Sequence, residues 1–269
     1  MTEDYAATVR FYDGLADDYH LVYGDDWDAA VEERGAALHA LIRSHLPDAT
    51  TVLDCSCGIG TQALGLALRG YHVVGTDISP GPIRRAQREA ARLGVAVRFS
   101  VADFRDLSAV SGEFDVVISC DNAIPHLLDE SDLPKALAQM RSKLRAGGLL
   151  VITMRDFDRA LLDKHPIGSP AVIPGSPRRV LVRLHDWDDD RPCYTVRYLV
   201  LTEADGDWSV REHGVRLRAI TRAELTRAAE ASGFAEIEWP SEPAVVGRQP
   251  VMTARASPSA RPSGRLPRA

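Results

Sequence analysis

From residue 51 to residue 154, short apolar runs alternate with helix-patterned stretches, and this alternation restricts the fold more than any other feature of the chain. Thr51 to Asp54 reads as a strand, followed by a Gly-containing loop and a helical stretch from Gln62 to Arg69 that Gly70 closes. The order then repeats with strand His72 to Asp77, helix Pro80 to Leu93, strands Val97 to Ala102 and Phe114 to Cys120, helix Leu133 to Leu144, and strand Leu149 to Met154. Gly147 and Gly148 read as the turn into that fifth strand. Such a rhythm means a mostly parallel sheet with helices on both faces.

The flanks differ from this centre. Tyr5 to Tyr23 is aromatic-rich and Trp27 to Leu46 has apolar residues near helical spacing, so residues 1–48 read as a helical lid. After Asp158, the segments 178–187, 193–204 and 207–218 read as long alternating strands with turn signals at Asp188-Asp189-Asp190 and Asp205-Gly206-Asp207. Residues 159–219 are therefore expected to form an antiparallel β insertion that caps a core at 49–158. Residues 220–256 return to that core through a helix from Arg222 to Ser232, N-capped by Thr221 with Glu224 three residues on, and two closing strands, 234–239 and 250–255. The Pro-, Ser- and Arg-rich stretch 257–269 has little to bury and is expected to be disordered.

At 269 residues the chain is long enough for one large α/β domain with a small cap. Cys55, Cys57, Cys120 and Cys193 are too few and too irregular for a secreted disulfide framework or a four-thiolate zinc site, so a reducing cytoplasm is the natural compartment. No signal-peptide pattern opens the sequence, no stretch reaches bilayer-spanning length, and no His/Asp cluster has metal-ligand spacing. A formal charge of −6 argues against a nucleic-acid surface.

The densest chemical signal is Val52-Leu53-Asp54-Cys55-Ser56-Cys57-Gly58-Ile59-Gly60 at the first strand-to-helix crossing, where small residues let a ligand approach the backbone. Gly58-x-Gly60-x-x-Ala63 also fits a dinucleotide fingerprint, and Asp77 at the end of the second strand suits a ribose in either case. Asp54 discriminates between them: a carboxylate beside the loop would repel a pyrophosphate, whereas it would favour a ligand carrying an ammonium and a sulfonium. The bland alternative for Asp54 and Asp77 is a pair of turn or capping acids.

Val52 to Gly60, Gly75-Thr76-Asp77-Ile78-Ser79, Val101-Ala102-Asp103-Phe104, Phe114-Asp115-Val116-Val117 and Leu144-Arg145-Ala146-Gly147-Gly148 together resemble the successive motifs of class I S-adenosylmethionine-dependent methyltransferases, over about residues 50–155. The resemblance implies a Rossmann-like, seven-stranded, mostly parallel sheet whose antiparallel last strand slips between its neighbours, a pairing a dehydrogenase would lack. It implies S-adenosylmethionine as cofactor, with S-adenosylhomocysteine as product. It further implies that the backbone of Ser56, Cys57, Gly58 and Gly60 cradles the methionyl part, that Asp77 and Ile78 meet the ribose, and that Ala102, Asp103 and Phe104 meet the adenine. Asp54, Gln62, Cys120 and Asp121 complete the expected cofactor set, with Tyr12 and Tyr19 closing over it from the lid. Tyr23 is better explained by packing, and Ser56 stands where many members have glycine.

On the acceptor side, Asn122, His126 and Arg155 resemble the Asn-x-x-x-His loop and Arg-Asn-Tyr-Asp segment of glycine N-methyltransferases, in which the arginine holds a substrate carboxylate. Here Asp156 replaces Asn and Phe157 replaces Tyr, which leaves the amino acid open. Arg34 matches, with a two-residue slip, the arginine that grips the methionyl carboxylate there. Arg155 is suited to bind a carboxylate bidentately, or alternatively pairs with Asp156 or Asp158. His126 is a candidate general base, or else a helix-capping histidine. His185 and Trp187 are candidates to line the acceptor pocket.

The sequence thus points to metal-independent methylation of a small molecule, such as an amine, an amino acid or a natural-product intermediate, including one that bears a carboxylate. N-methylation stands ahead of O- or C-methylation. Another use of the sulfonium, a nicotinamide-dependent oxidoreductase and a non-catalytic cofactor-binding module are the alternatives, and either a monomer or a homodimer is compatible with the pattern.

Overall fold

In the computed structural model, which describes residues 3–240 and 249–257, the chain opens with α1 (Glu3–Leu15), a 3-10 turn at Tyr19–Tyr23 and α2 (Trp27–His45). The central region then runs β1 (Thr51–Asp54), α3 (Thr61–Ala67), β2 (His72–Asp77), α4 (Pro80–Leu93), β3 (Val97–Val101), β4 (Phe114–Ser119), α5 (Asp132–Ser142) and β5 (Leu144–Thr153). A short α6 (Phe157–Asp163) leads to β6 (Ala171–Ile173), β7 (Arg179–Trp187), β8 (Cys193–Ala204) and β9 (Asp207–Arg218). The described chain closes with α7 (Arg222–Ala231), β10 (Phe234–Glu238) and β11 (Val251–Ala256). The expected disordered stretch falls outside the described residues apart from Ser257.

Seven strands form one sheet in the order β10-β11-β5-β4-β1-β2-β3. All neighbours from β5 to β3 are parallel, while β11 runs antiparallel to both β10 and β5 and so lies between them, as the resemblance implies. Each of the six residues of β4 is buried, because helices cover both faces of a parallel sheet and its strands read as continuous apolar runs. Val116 and Ile118 point into a core shared with α2, α3 and α4. Val117, between them, points into the opposite core with α1, α5 and α7. Asp115 interrupts this run and is fully buried, yet it accepts hydrogen bonds from the Thr50 and Thr51 amides (both 2.8 Å) and pairs with Arg145, fixing the start of β1 against β4.

One local expectation changes. Gly147 and Gly148 lie inside β5, where the register against β4 shifts between Phe114 and Val116, so they make a bulge rather than the turn into the strand. Gly147 takes φ +73°, a conformation that strongly favours glycine, and lets the strand re-enter the ladder at Leu149.

β6 to β9 form a second, wholly antiparallel sheet in sequential order, and β6 is a strand that sequence reading does not anticipate. Its inner face, with Leu181, Tyr194, Val196, Val200, Val215 and Leu217, joins the core under α1. Contacts on both flanks fasten the lid. Gly35 on α2 and Gly65 on α3 bring the helix backbones so close that a Cβ on Gly65 would lie 2.4 Å from the Val31 carbonyl oxygen. On the other flank, buried Asp18 pairs with Arg179 of β7 (3.4 Å) and Arg211 of β9, tying the 3-10 region to the antiparallel sheet.

Candidate functional site

The strand order reverses between β1 and β4, and at such a switch point the loops leaving the carboxyl ends diverge and open a crevice. A cavity of ≈ 350 Å³ fills it. Ser56, Cys57, Gly58 and Gln62 line it from the first loop and α3. Asp77 and Ile78 line it from β2, Ala102, Asp103 and Phe104 from β3, Cys120 and Asp121 from β4, and Tyr12 and Tyr19 from the lid. Three residues expected with them stand elsewhere. Asp54 is fully buried beneath the loop, Gly60 is packed against Leu64 and Ala86 at the start of α3, and Arg34 lines a second cavity.

Local geometry explains the glycines. Gly58 (φ +52°) and Gly60 (φ +94°) both occupy left-handed backbone, and a Cβ on Gly58 would point towards the Tyr19 ring, 3.9 Å away, into the space where a ligand would lie. The Gly58 amide donates to Asp77 Oδ2 and the Ser79 amide to Asp77 Oδ1, both at 2.9 Å, so Asp77 is held with its remaining lone pairs available. Burial nevertheless pushes the Asp77 carboxyl up to about 6. Asp54 receives only the Ser56 amide (3.3 Å), its Oδ2 has no partner, and burial pushes it up to about 8. Asp103 is gripped by Arg105, which also donates to Asp132 (2.6 Å) and lies over the Tyr5 ring.

The second cavity, ≈ 690 Å³, lies between the lid, the β4 and β5 ends and the antiparallel sheet. Tyr12, Tyr19, Tyr23, Asp121 and His126 line both cavities and so form their common wall. The Tyr12 hydroxyl and His126 Nε2 share a 2.8 Å hydrogen bond, His126 Nδ1 has no partner, and burial pulls the imidazole down to about 4. Tyr23 and Gln62 both donate to Asp121 Oδ2 (2.9 and 2.6 Å), which gives Tyr23 a polar role beyond packing.

Asp121 and Asn122 both adopt positive φ (+54° and +71°), a conformation tolerated by Asp and Asn and uncommon for two successive residues. The Asp121 and Asn122 amides donate to Thr153 Oγ1 and the Thr153 carbonyl, and Asn122 Oδ1 accepts the Arg155 amide (3.0 Å). The loop after β4 is thereby locked to the end of β5.

The structural alternative for Arg155 does not hold. Asp156 and Asp158 pair with Arg222 instead (2.8 and 3.6 Å). Arg155 donates to His185 Nε2 (3.3 Å) and lies over the rings of Trp187 and Tyr194, with no carboxylate partner among the described residues. His185 Nδ1 donates to the His165 carbonyl (3.1 Å), which fixes its tautomer with Nε2 as acceptor. Trp187 stacks on Tyr194 (4.5 Å) behind the cavity wall. Sequence reading misses Tyr194, Tyr198 and Arg183 of this wall. They converge only through the β7–β8 register, which sets Arg183 opposite Tyr198 and Trp187 opposite Tyr194. Among the described residues no group of side chains suits a metal ion, and no helix is long and apolar enough to cross a membrane.

Comparison with known proteins agrees with this geometry. Residues 52–148 match a family model described as a methyltransferase domain. The glycine/sarcosine N-methyltransferase of Parasynechococcus marenigrum is 38% identical over 137 residues, covering 51% of this chain and 48% of that protein. Human glycine N-methyltransferase is 31% identical over 166 residues, 56% of each chain. The chain thus spans about half the length of these curated relatives. Among solved structures, SAM-bound CalS10, an amino pentose methyltransferase from Micromonospora echinaspora, superposes with TM-score 0.75 at 23% identity over 89% of this chain and 96% of that one. The sugar N-methyltransferase KedS8 from Streptoalloteichus gives TM-score 0.70 at 24% identity over 89% and 93%.

Proposed function

With residues 52–148 carrying a methyltransferase domain on a class I, Rossmann-like fold, we propose that the chain binds S-adenosylmethionine in the smaller cavity and directs its methyl to a nitrogen of a small molecule held in the larger one. The observation that carries this reading is the common wall: the two cavities meet at Tyr12, Tyr19, Tyr23, Asp121 and His126. The donor set suits the cofactor. Asp121 puts negative charge near an ammonium and a sulfonium, Asp54, protonated at pH 7 in the ligand-free protein, adds a second charge when such a ligand draws its proton off, and the bare backbone at Gly58 leaves room for the ligand. Asp77 takes the ribose, Ala102, Asp103 and Phe104 border the adenine, and Arg34 on the acceptor side of Tyr23 reaches towards the methionyl carboxylate.

When bound, the cofactor supplies a methyl already activated by its sulfonium, so the protein's work is alignment and exclusion of water. The tyrosines of the lid cover the junction of the cavities. Asn122 and Arg155 are held by the β4–β5 lock, and Arg155 receives an acceptor carboxylate without having to break an ion pair first. A histidine pulled down to about 4 is neutral at pH 7 but a weak base, so His126 orients Tyr12 and the acceptor rather than taking a proton from an ammonium. The amine then reacts as its free base. The names of the relatives, glycine/sarcosine and sugar N-methyltransferases, support nitrogen as the acceptor atom. Four free, buried cysteines support a reducing cytoplasm.

The test is calorimetric titration with S-adenosylhomocysteine and, separately, NAD, followed by mass spectrometry of an amine and amino-acid panel incubated with S-adenosylmethionine. The expected outcome is S-adenosylhomocysteine binding, no NAD binding, and a gain of one methyl mass on an amine. Absence of S-adenosylhomocysteine binding would refute the reading, and methylation on oxygen or carbon would refute its nitrogen assignment.

A further inference from the structure

The acceptor-side wall carries more unmatched positive charge than one carboxylate needs. The acids lining that cavity are already engaged: Asp156 pairs with Arg222, Asp163 with Arg159 (3.5 Å), and Asp121 accepts from Tyr23 and Gln62. Arg155 and Arg183 both line the cavity, and neither has a carboxylate partner among the described residues.

They stand on either side of His185. Arg155 Nη1 lies 3.3 Å from His185 Nε2, and Arg183 precedes His185 by two positions on β7, on the same face of the strand. Arg183 faces Tyr198 across the β7–β8 ladder, so it is presented by a paired strand rather than by a loop. Burial lowers the basicity of His185, and the Arg155 and Arg183 guanidinium groups lower it further. Two cations held together on a concave wall repel one another, and an anion between or across them relieves that repulsion. This cavity, ≈ 690 Å³ against ≈ 350 Å³ on the cofactor side, also has room for more than a minimal amino acid.

We propose that the acceptor is an amine bearing two anionic groups, one bound at Arg155 and the second at Arg183. The class comprises amino dicarboxylates and amino acids carrying a phosphate monoester, whose common chemistry is a second anionic group within reach of the reacting nitrogen. This rests on the methyltransferase reading and adds Arg183 as the residue that selects for the extra charge.

The experiment uses the full chain saturated with S-adenosylhomocysteine, titrated calorimetrically with glycine, aspartate and O-phosphoserine. At least one of the two probes with a second anionic group should bind ten-fold or more tightly than glycine, and which one does identifies the anion. Arg183→Gln should remove most of that preference and Arg183→Lys should retain much of it, with S-adenosylhomocysteine affinity in each variant as the control for folding. Glycine binding as tightly as both other probes, neither of them binding at all, or a preference that survives Arg183→Gln in a variant that still binds S-adenosylhomocysteine would each overturn the proposal. Failure of the wild-type chain to bind S-adenosylhomocysteine would instead remove the methyltransferase reading beneath it.

Discussion

Replacing Asp54 with asparagine should stabilise the ligand-free protein and weaken cofactor binding, two effects of opposite sign from one atom. Asp54 is fully buried at the end of β1, with Oδ2 unpartnered. Burial pushes its carboxyl from 3.8 up to about 8, reinforced by Asp77 and Asp121 and opposed by the Ser56 amide. Between those values the folded state holds a proton that the unfolded chain has released. Stability from this group is therefore complete below about pH 4 and falls as pH rises towards 8. At pH 7 about three units of that interval have been crossed, an upper bound of about 4 kcal/mol. Asparagine keeps the shape and carries no such penalty. Asp54→Asn should thus melt higher than wild type at pH 7.5, by as much as about 16 °C at 2–4 °C per kcal/mol, and equal it near pH 4. A cationic ligand should draw the proton off, so titration with S-adenosylmethionine at pH 7 in two buffers of different ionisation enthalpy should report nearly one proton released. Asp77, pushed up only to about 6, is already mostly ionised there and contributes little. In Asp54→Asn the release should vanish and affinity should fall about ten-fold, ~1.4 kcal/mol. A variant that melts no higher than wild type at pH 7.5, or wild-type binding that is indifferent to buffer, would refute the reasoning.

Four further outcomes follow from the same geometry. Tyr12→Phe leaves both His126 ring nitrogens without a partner and should lose about 1–3 kcal/mol in chemical denaturation. His126 itself, pulled from 6.5 down to about 4 by burial, adds stability that is complete above pH 6.5 and is lost as pH falls through 4. The stability difference between wild type and His126→Gln should therefore shrink between urea melts at pH 7 and at pH 5. Gly65→Ala places a Cβ 2.4 Å from the Val31 carbonyl oxygen and 2.8 Å from Gly35 Cα, so α2 must move. The expected loss is about 2 kcal/mol despite alanine's better helix propensity, read as a lower melting temperature. Asp18→Asn breaks the clasp to Arg179 and Arg211, whose partly exposed guanidinium groups soften the cost to about 1–3 kcal/mol. Amide exchange over residues 3–23 should accelerate more than exchange in β4.

The parallel sheet was legible because its determinants are local. β1, β2 and α4 have the bounds read from apolar runs, Gly70 and helical spacing from Pro80, since each signal acts within a few residues of its effect. The long strands β8 and β9 were equally plain from alternation and their Asp-Gly turn. The Gly147-Gly148 pair misled, because a glycine at positive φ serves a bulge as well as a turn and only the pairing partner decides between them. β6, three residues long, lacks enough positions to show any period.

The acceptor wall was the least legible part, for a reason that also explains how such a site can vary on a constant fold. Cofactor-side residues come from loops that follow consecutive strands of one sheet, so their order along the chain already places them around one crevice. Acceptor-side residues come from α1, α2, the ends of β4 and β5, and an antiparallel sheet whose register has no counterpart in local pattern. Arg155 could be singled out because it ends a strand of the core, whereas Arg183 acquires meaning only when β7 is set against β8 and curled under the lid. A change of one charged residue on β7 would leave every local folding signal intact and still alter which anions the cavity accepts. Acceptor choice can therefore drift while the core and its cofactor loop remain fixed.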